Sequence, residues 1–259
     1  MKDLNYQLMK LCRDNRDGSY STQANRSRIL DLMANQLAEL RFRRMQATSL
    51  KPKHVDALVS LWKEQNISTG TMKNRLSALR WWARKINKPG IINKDNSAFG
   101  IGNRCCVNNE SKAQYLDSKT FSKISDPYVR LSLQLQAAFG LRREEAIKFR
   151  PGYAIKGDHI KLKASWTKGG RARTVPITNG RQWAMLAEVR KLARGGSLIP
   201  PELKYVEQMN RYDYQVRKAG LKNPHGLRHA YAQRRYFELT GWRPPAAGGP
   251  AAKSLTSDQ

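Results

Sequence analysis

The stretch YAIKGDHIKLKASWTKGGRARTVPI, residues 153–177, decides the fold class. Its centre alternates: Ile160, Leu162, Ala164 and Trp166 fall on one face, Lys161 and Lys163 on the other, as in a strand half-buried on one side. Gly157-Asp158 and Lys168-Gly169-Gly170 supply the turns. Three short antiparallel strands are therefore predicted, at 153–156, 159–166 and 171–177. Helical patterns surround them. Upstream, Asp117 or Ser118 can cap a short helix. Asp126-Pro127 opens another, carrying Val129, Leu131, Leu133, Leu135 and Ala138. Gly140 breaks that pattern and it resumes over 142–149. Downstream, helices are predicted at about 179–194, 203–219 and 224–239. Helices, a small antiparallel sheet, then helices make an α+β order that is mainly α.

Further upstream the periodicity is helical throughout. Leu4, Leu8 and Leu11 share a face, and Ser21 or Thr22 can cap a second helix with the stripe Ile29, Met33, Leu37 and Leu40. Pro52 suits the first turn of a third, with Val55, Leu58, Val59 and Trp62. Ser68 caps a fourth, with Met72, Leu76, Leu79, Ala83 and Ile86 inward, and Pro89-Gly90 is read as its end. A four-helix bundle is expected. A linker at 91–112 follows, which puts the domain boundary near Glu110. From Gly241 the chain turns Pro/Ala/Gly-rich and is read as an irregular tail over 241–259.

Lys and Arg number 48 against 20 Asp and Glu, a formal charge of +28. A compact body with this excess repels itself unless a polyanion neutralises it. Nucleic acid fits, since each phosphate met by a cation releases counterions; an anionic membrane surface is a weaker alternative. Both halves are basic, which suits two domains on one duplex. Lys73, Arg80 and Arg84 leave the fourth helix away from its apolar stripe. That face alone is equally well a solvated one, and the total charge tips it towards DNA. No signal peptide or membrane span is read. Cys12, Cys105 and Cys106 lack a CxxC spacing and suggest a reduced cytoplasm, with thiols in structural roles.

Three clusters can carry chemistry. In Gly140-Leu141-Arg142-Arg143-Glu144-Glu145, Arg142 and Glu145 share a helix face. In Lys168-Gly169-Gly170-Arg171-Ala172-Arg173, a lysine sits at a glycine-rich hairpin tip, from which it can swing into a cleft. In Asn223-Pro224-His225-Gly226-Leu227-Arg228-His229, His225 and Arg228 lie one turn apart near a helix N-terminus, a place favourable to anions. The i, i+4 pair His225 and His229 is a poor metal site, because no HExxH-type acid lies between them. Each cluster alone is also an ordinary basic surface. In this order they resemble the tyrosine recombinases: the first arginine in G-L-R-x-x-E, a lysine on a β-hairpin, then H-x-x-R followed by His.

The resemblance covers nearly the whole chain. Residues 1–110 resemble the family's helical, SAM-like core-binding DNA domain, and 111–240 its catalytic domain without the last helices. The segment YFELTGWRPPAAGGP, residues 236–250, is similar to integrases of integrative mobile elements. The resemblance implies that Arg142 and Arg228 hold the non-bridging oxygens of a phosphodiester, that His225 hydrogen-bonds it or moves protons, and that Lys168 protonates the leaving 5′ oxygen. It makes Glu145 a brace and His229 a packing or orienting group. Lys73, Arg80, Arg84, Arg171 and Arg173 are expected to contact DNA. No metal or cofactor is implied. The partner is double-stranded DNA, with room for a homo-oligomer on it, and no membrane is involved. Arg142, Lys168, His225 and Arg228 should converge on one pocket the size of a phosphate.

The family pattern continues with an L-G-H segment and a nucleophilic tyrosine on a later helix, and neither is read here. Tyr231 and Tyr236 follow Arg228 on the same predicted helix, too early for that role. The expectation is a piece or natural truncation of a recombinase that binds DNA without cutting it. A DNA-binding module without catalysis is the second reading. A basic RNA-binding protein is the third, and it leaves the ordered Arg/Lys/His-x-x-Arg set unexplained.

Overall fold

A computed structural model describes residues 3–103 and 110–251. Cys105 and Cys106 lie outside the described residues, while Cys12 is a partly buried free thiol. The chain divides into two compact units, Met1–Cys106 and Val107–Gln259. Among the described residues, no helix is long and apolar enough to cross a membrane.

Among the described residues, unit 1 has four α-helices: α1 (Asp3–Asp14), α2 (Tyr20–Glu39), α3 (Pro52–Glu64) and α4 (Thr69–Lys85). The apolar stripes meet in one core, with Leu8, Leu30, Met33, Leu37, Leu58, Trp62, Leu76, Leu79 and Trp82 among its fully buried members. Large indoles are tolerated there because their polar edge is satisfied: Trp62 donates to Gln36 Oε1 at 2.9 Å and Trp82 to the Ala47 carbonyl at 2.8 Å. Pro52 opens α3 and Ser68 caps α4 as the sequence indicates. Two ends differ from the sequence reading. The cap of α2 is Ser19, not Ser21 or Thr22; its extended backbone lets Oγ accept from the Thr22 N–H at 3.2 Å. Helix α4 stops at Lys85, ahead of Pro89-Gly90, because Asn87 takes a left-handed φ of 57° and Lys88 N–H closes back on the Ala83 carbonyl at 2.8 Å.

Unit 2 runs α5 (Ser118–Ser122), α6 (Pro127–Phe139), α7 (Arg143–Ile147), α8 (Pro151–Ala154), β1 (Ile155–Lys156), β2 (His159–Leu162), β3 (Arg173–Pro176), α9 (Gly180–Ala193), α10 (Tyr205–Ala219) and α11 (Gly226–Thr240). The sheet is antiparallel in the order β1-β2-β3, with Ile160 opposite Val175 and Leu162 opposite Arg173. The architecture is mainly helical with one small antiparallel sheet, the class the sequence indicates. The strands are shorter than expected. Residues 153–154 belong to α8, and Ala164–Trp166 is a 3-10 turn, so the ladder ends where Leu162 meets Arg173. Ile160 and Leu162 still point inward, and Trp166 is buried from the turn rather than from a strand.

Asp117, Asp126 and Asn179 cap α5, α6 and α9 through their side chains. Helix α11 starts at Gly226 rather than at 224. Asn223 adopts a left-handed φ of 47°, so Asn223-Pro224 form the turn before the helix. Helix α6 is the spine of the unit and packs against α7, α9 and α11. It contributes to both apolar clusters: Leu131, Leu135 and Phe139 to the one beneath the sheet, Val129 and Leu133 to the one beneath α10.

Candidate phosphate-binding site

The site lies within unit 2, where the ends of α6, α7, β3 and α11 meet. Helix α6 ends at Gly140 in the left-handed region, φ 61°. That turn leaves Leu141 in the core and puts Arg142 at the N-cap of α7. A side chain at 140 is excluded for a second reason: a Cβ there would lie 2.5 Å from Cδ1 of Tyr231 on α11. The Gly140 carbonyl accepts a hydrogen bond from Arg228 Nη1. One glycine thus turns the chain, admits the Tyr231 ring and holds a guanidinium.

Glu145 is fully buried and joins the elements. Its Oε1 accepts from Arg142 Nη1 at 2.8 Å. Its Oε2 accepts from the Arg142 backbone N–H at 2.8 Å and from Arg173 Nη2 at 2.6 Å. Burial alone would raise the carboxyl's pKa, but these bonds outweigh it and hold the group below its usual range. A buried carboxylate bonded to two guanidiniums stays ionised.

His225 stands at the N-cap position of α11, exposed at the surface. Burial holds its imidazole below the ordinary value, with His229, Arg228 and Arg142 adding to that effect and Glu145 opposing it. The rings of His225 and His229 meet edge to face at 5.2 Å. Arg228 is likewise held below the usual arginine range by burial and by Arg173 and Arg142. These mutual effects place Arg142, Arg173, His225 and Arg228 in one electrostatic neighbourhood. Three guanidiniums and one carboxylate leave it with a surplus of positive charge, which suits an anion. Among the described residues no three His, Cys, Asp or Glu side chains gather as metal ligands would.

Gly226 has a purpose that spacing did not reveal. A Cβ there would lie 2.7 Å from the Lys112 carbonyl and closer still to Gln114, whose N–H donates to the Gly226 carbonyl at 3.0 Å. The segment entering unit 2 crosses the first turn of α11 at that point.

The remaining sequence candidates have different surroundings. Lys168 is exposed at the β2–β3 hairpin tip and has no hydrogen bond or ion pair among the described residues. Arg142, His225 and Arg228 lie within electrostatic reach of one another, while Lys168 stays in solvent. Arg171 is exposed beyond the strand. In unit 1, Arg84 is exposed and Lys73 partly so, while Arg80 donates from Nε and Nη2 to the Asn93 carbonyl at 3.0 and 2.7 Å. Arg80 thus braces the segment after α4. Arg173, expected on DNA, instead grips Glu145.

Two family descriptions match the chain: "Phage integrase, N-terminal" over residues 1–88 and "Integrase" over residues 102–234. No curated protein sequence matches. Among solved structures, lambda integrase in a tetramer bound to a Holliday junction is similar at 15% identity and a TM-score of 0.58, covering 92% of this chain and 72% of that one. The Tn1549 transposon integrase in complex with circular intermediate DNA is similar at 16% identity and 0.56, covering 100% and 97%. The XerH site-specific recombinase bound to difH substrate is similar at 17% identity and 0.55, covering 92% and 74%.

Proposed function

Because the chain belongs to the integrase family, we propose that it acts on duplex DNA in site-specific recombination, with Arg142, His225 and Arg228 gripping one backbone phosphate. The observation that carries this reading is the cluster itself: two guanidiniums and an imidazole from α7 and α11 within mutual electrostatic reach, beside a buried carboxylate. When a phosphodiester exchanges its ester oxygen, extra charge gathers on the non-bridging oxygens. Planar guanidiniums already held in place stabilise that charge without reorganising. His225, uncharged at neutral pH, can accept or return a proton at the attacking oxygen. Lys168, exposed at the hairpin tip, protonates the leaving oxygen. Lys73, Arg84 and Arg171 lie along the backbone and set position rather than sequence. The DNA-bound forms of the similar structures support the partner, and their dimers and tetramers support assembly of several copies on it. The compartment this implies is the cytoplasm, where thiols such as Cys12 stay reduced.

Affinity of the full chain for a duplex, measured by fluorescence anisotropy at fixed salt, tests the site. Arg142→Ala and Arg228→Ala should each weaken binding about tenfold, the range of a charged hydrogen bond. Duplex DNA should also bind more tightly than structured RNA. Unchanged affinity in both variants, or a preference for RNA, counts against the reading.

A further inference from the structure

Resting on the phosphate-site reading above, we propose that Arg173 is a positioning residue: it saturates the Glu145 carboxylate so that Arg142 keeps donors free for the phosphate. Nothing about the hairpin sequence separates Arg173 from Arg171. The structure does. Arg173 is the first residue of β3, opposite Leu162, and its Nη2 reaches across to Glu145 Oε2. Arg171 remains in solvent.

The carboxylate receives three donors. Oε1 takes one from the Arg142 side chain; Oε2 takes the Arg142 backbone N–H and Arg173. Without Arg173, a buried anion would be left with Arg142 as its sole cationic hydrogen-bond donor. A guanidinium facing a carboxylate favours the two-pronged arrangement with both oxygens. Arg142 would then commit a second nitrogen to Glu145 and turn its edge away from the surface. Arg173 removes that demand.

Two observations support this role over plain DNA contact. The Nε–H of Arg173 is buried with no acceptor, so the side chain forgoes a hydrogen bond to keep its tip on Glu145. A surface arginine serving DNA would have that nitrogen in water. In addition, Arg173 adds a third guanidinium beside Arg142 and Arg228, and both Arg173 and Arg142 repel the charge of Arg228. Such crowding costs the free protein stability and is relieved when a tetrahedral anion arrives. Arg173 therefore acts on the phosphate through Glu145 and Arg142.

The test is binding of inorganic sulfate, a tetrahedral dianion that does not titrate near neutrality, to the full chain by calorimetry at low ionic strength. Arg173→Ala should weaken sulfate about tenfold, and Arg173→Lys should recover part of that, since one ammonium donor can still reach Oε2. In a Glu145→Gln background, Arg173→Ala should cause little further loss. The charged groups facing Glu145 are Arg142, Arg173, His225 and Arg228. In Arg173→Ala the carboxyl should titrate nearer its ordinary range, so the deficit against wild type should shrink as pH falls from about 7 to about 4.5. His225 titrates in both proteins and affects both alike. Additive losses in the double variant, or Arg173→Ala and Arg173→Lys both binding like wild type while Arg142→Ala binds weakly, would overturn the positioning role alone. If Arg142→Ala and Arg228→Ala also bind like wild type, the phosphate-site reading itself fails.

Discussion

A carboxylate with no exposed surface sits between Arg142 and Arg173, and its charge lets those guanidiniums stay close to Arg228. Its pKa is below the usual carboxylate range in the folded protein and ordinary in the unfolded one. The stability it contributes is therefore complete above about pH 4.3 and is lost as pH falls through the folded value. Glu145→Gln should cost about 3 kcal/mol at pH 7, as removing one member of a buried ion pair does. It should also flatten the acid limb of stability against pH, followed by urea unfolding at each pH. A variant as stable as wild type, with the same acid limb, would remove Glu145 from this role. The helix-face spacing of Arg142 and Glu145 was legible in the sequence. The second partner was not, because Arg173 comes from a strand and meets α7 only after the hairpin has packed.

At the scale of elements, the joint between α6 and α7 carries the most constraint. Gly140→Ala imposes a left-handed backbone on a residue with a Cβ, which costs about 1–2 kcal/mol, and drives that Cβ into Tyr231. Chemical denaturation should show a loss larger than the backbone cost alone. In a Tyr231→Ala background the loss should fall back towards that backbone cost. Equal losses in both backgrounds would mean the ring is not the obstacle. DNA affinity should fall too, since the Gly140 carbonyl holds Arg228. Most elements were readable because their signals are local: Asp126-Pro127, Ser68 and Pro52 start helices by their own chemistry. The strands were over-extended because alternation continues through Ala164 and Trp166, while the ladder stops where its partner strand does.

For the whole molecule, the net charge of +28 makes DNA binding strongly salt-dependent. A plot of log affinity against log salt should be steep for the full chain. Arg84→Ala removes an exposed cation from α4 and should reduce the slope by about 0.9, the value for one phosphate contact. Arg80→Ala should leave the slope alone and lower thermal stability instead, because its guanidinium is spent on the Asn93 carbonyl. The reverse pattern would exchange the two roles. Composition predicts a polyanion as partner, but it treats every arginine alike. Only contacts separate cations that face solvent from cations that hold the fold.

The sequence alone determined the helical pattern of both halves, the small sheet, the ordered Arg, Lys and His-x-x-Arg motifs, and the surplus of charge. Each is written in local periodicity, in turn and capping chemistry, or in composition, none of which needs a distant partner. Tertiary structure alone decided that Arg173 belongs to Glu145, that Arg228 hangs on the Gly140 carbonyl, that Gly226 makes way for residues 112–114, and that Lys168 stays in solvent. Those facts depend on which surfaces meet when separate elements pack, and residues far apart along the chain carry no local mark of that meeting.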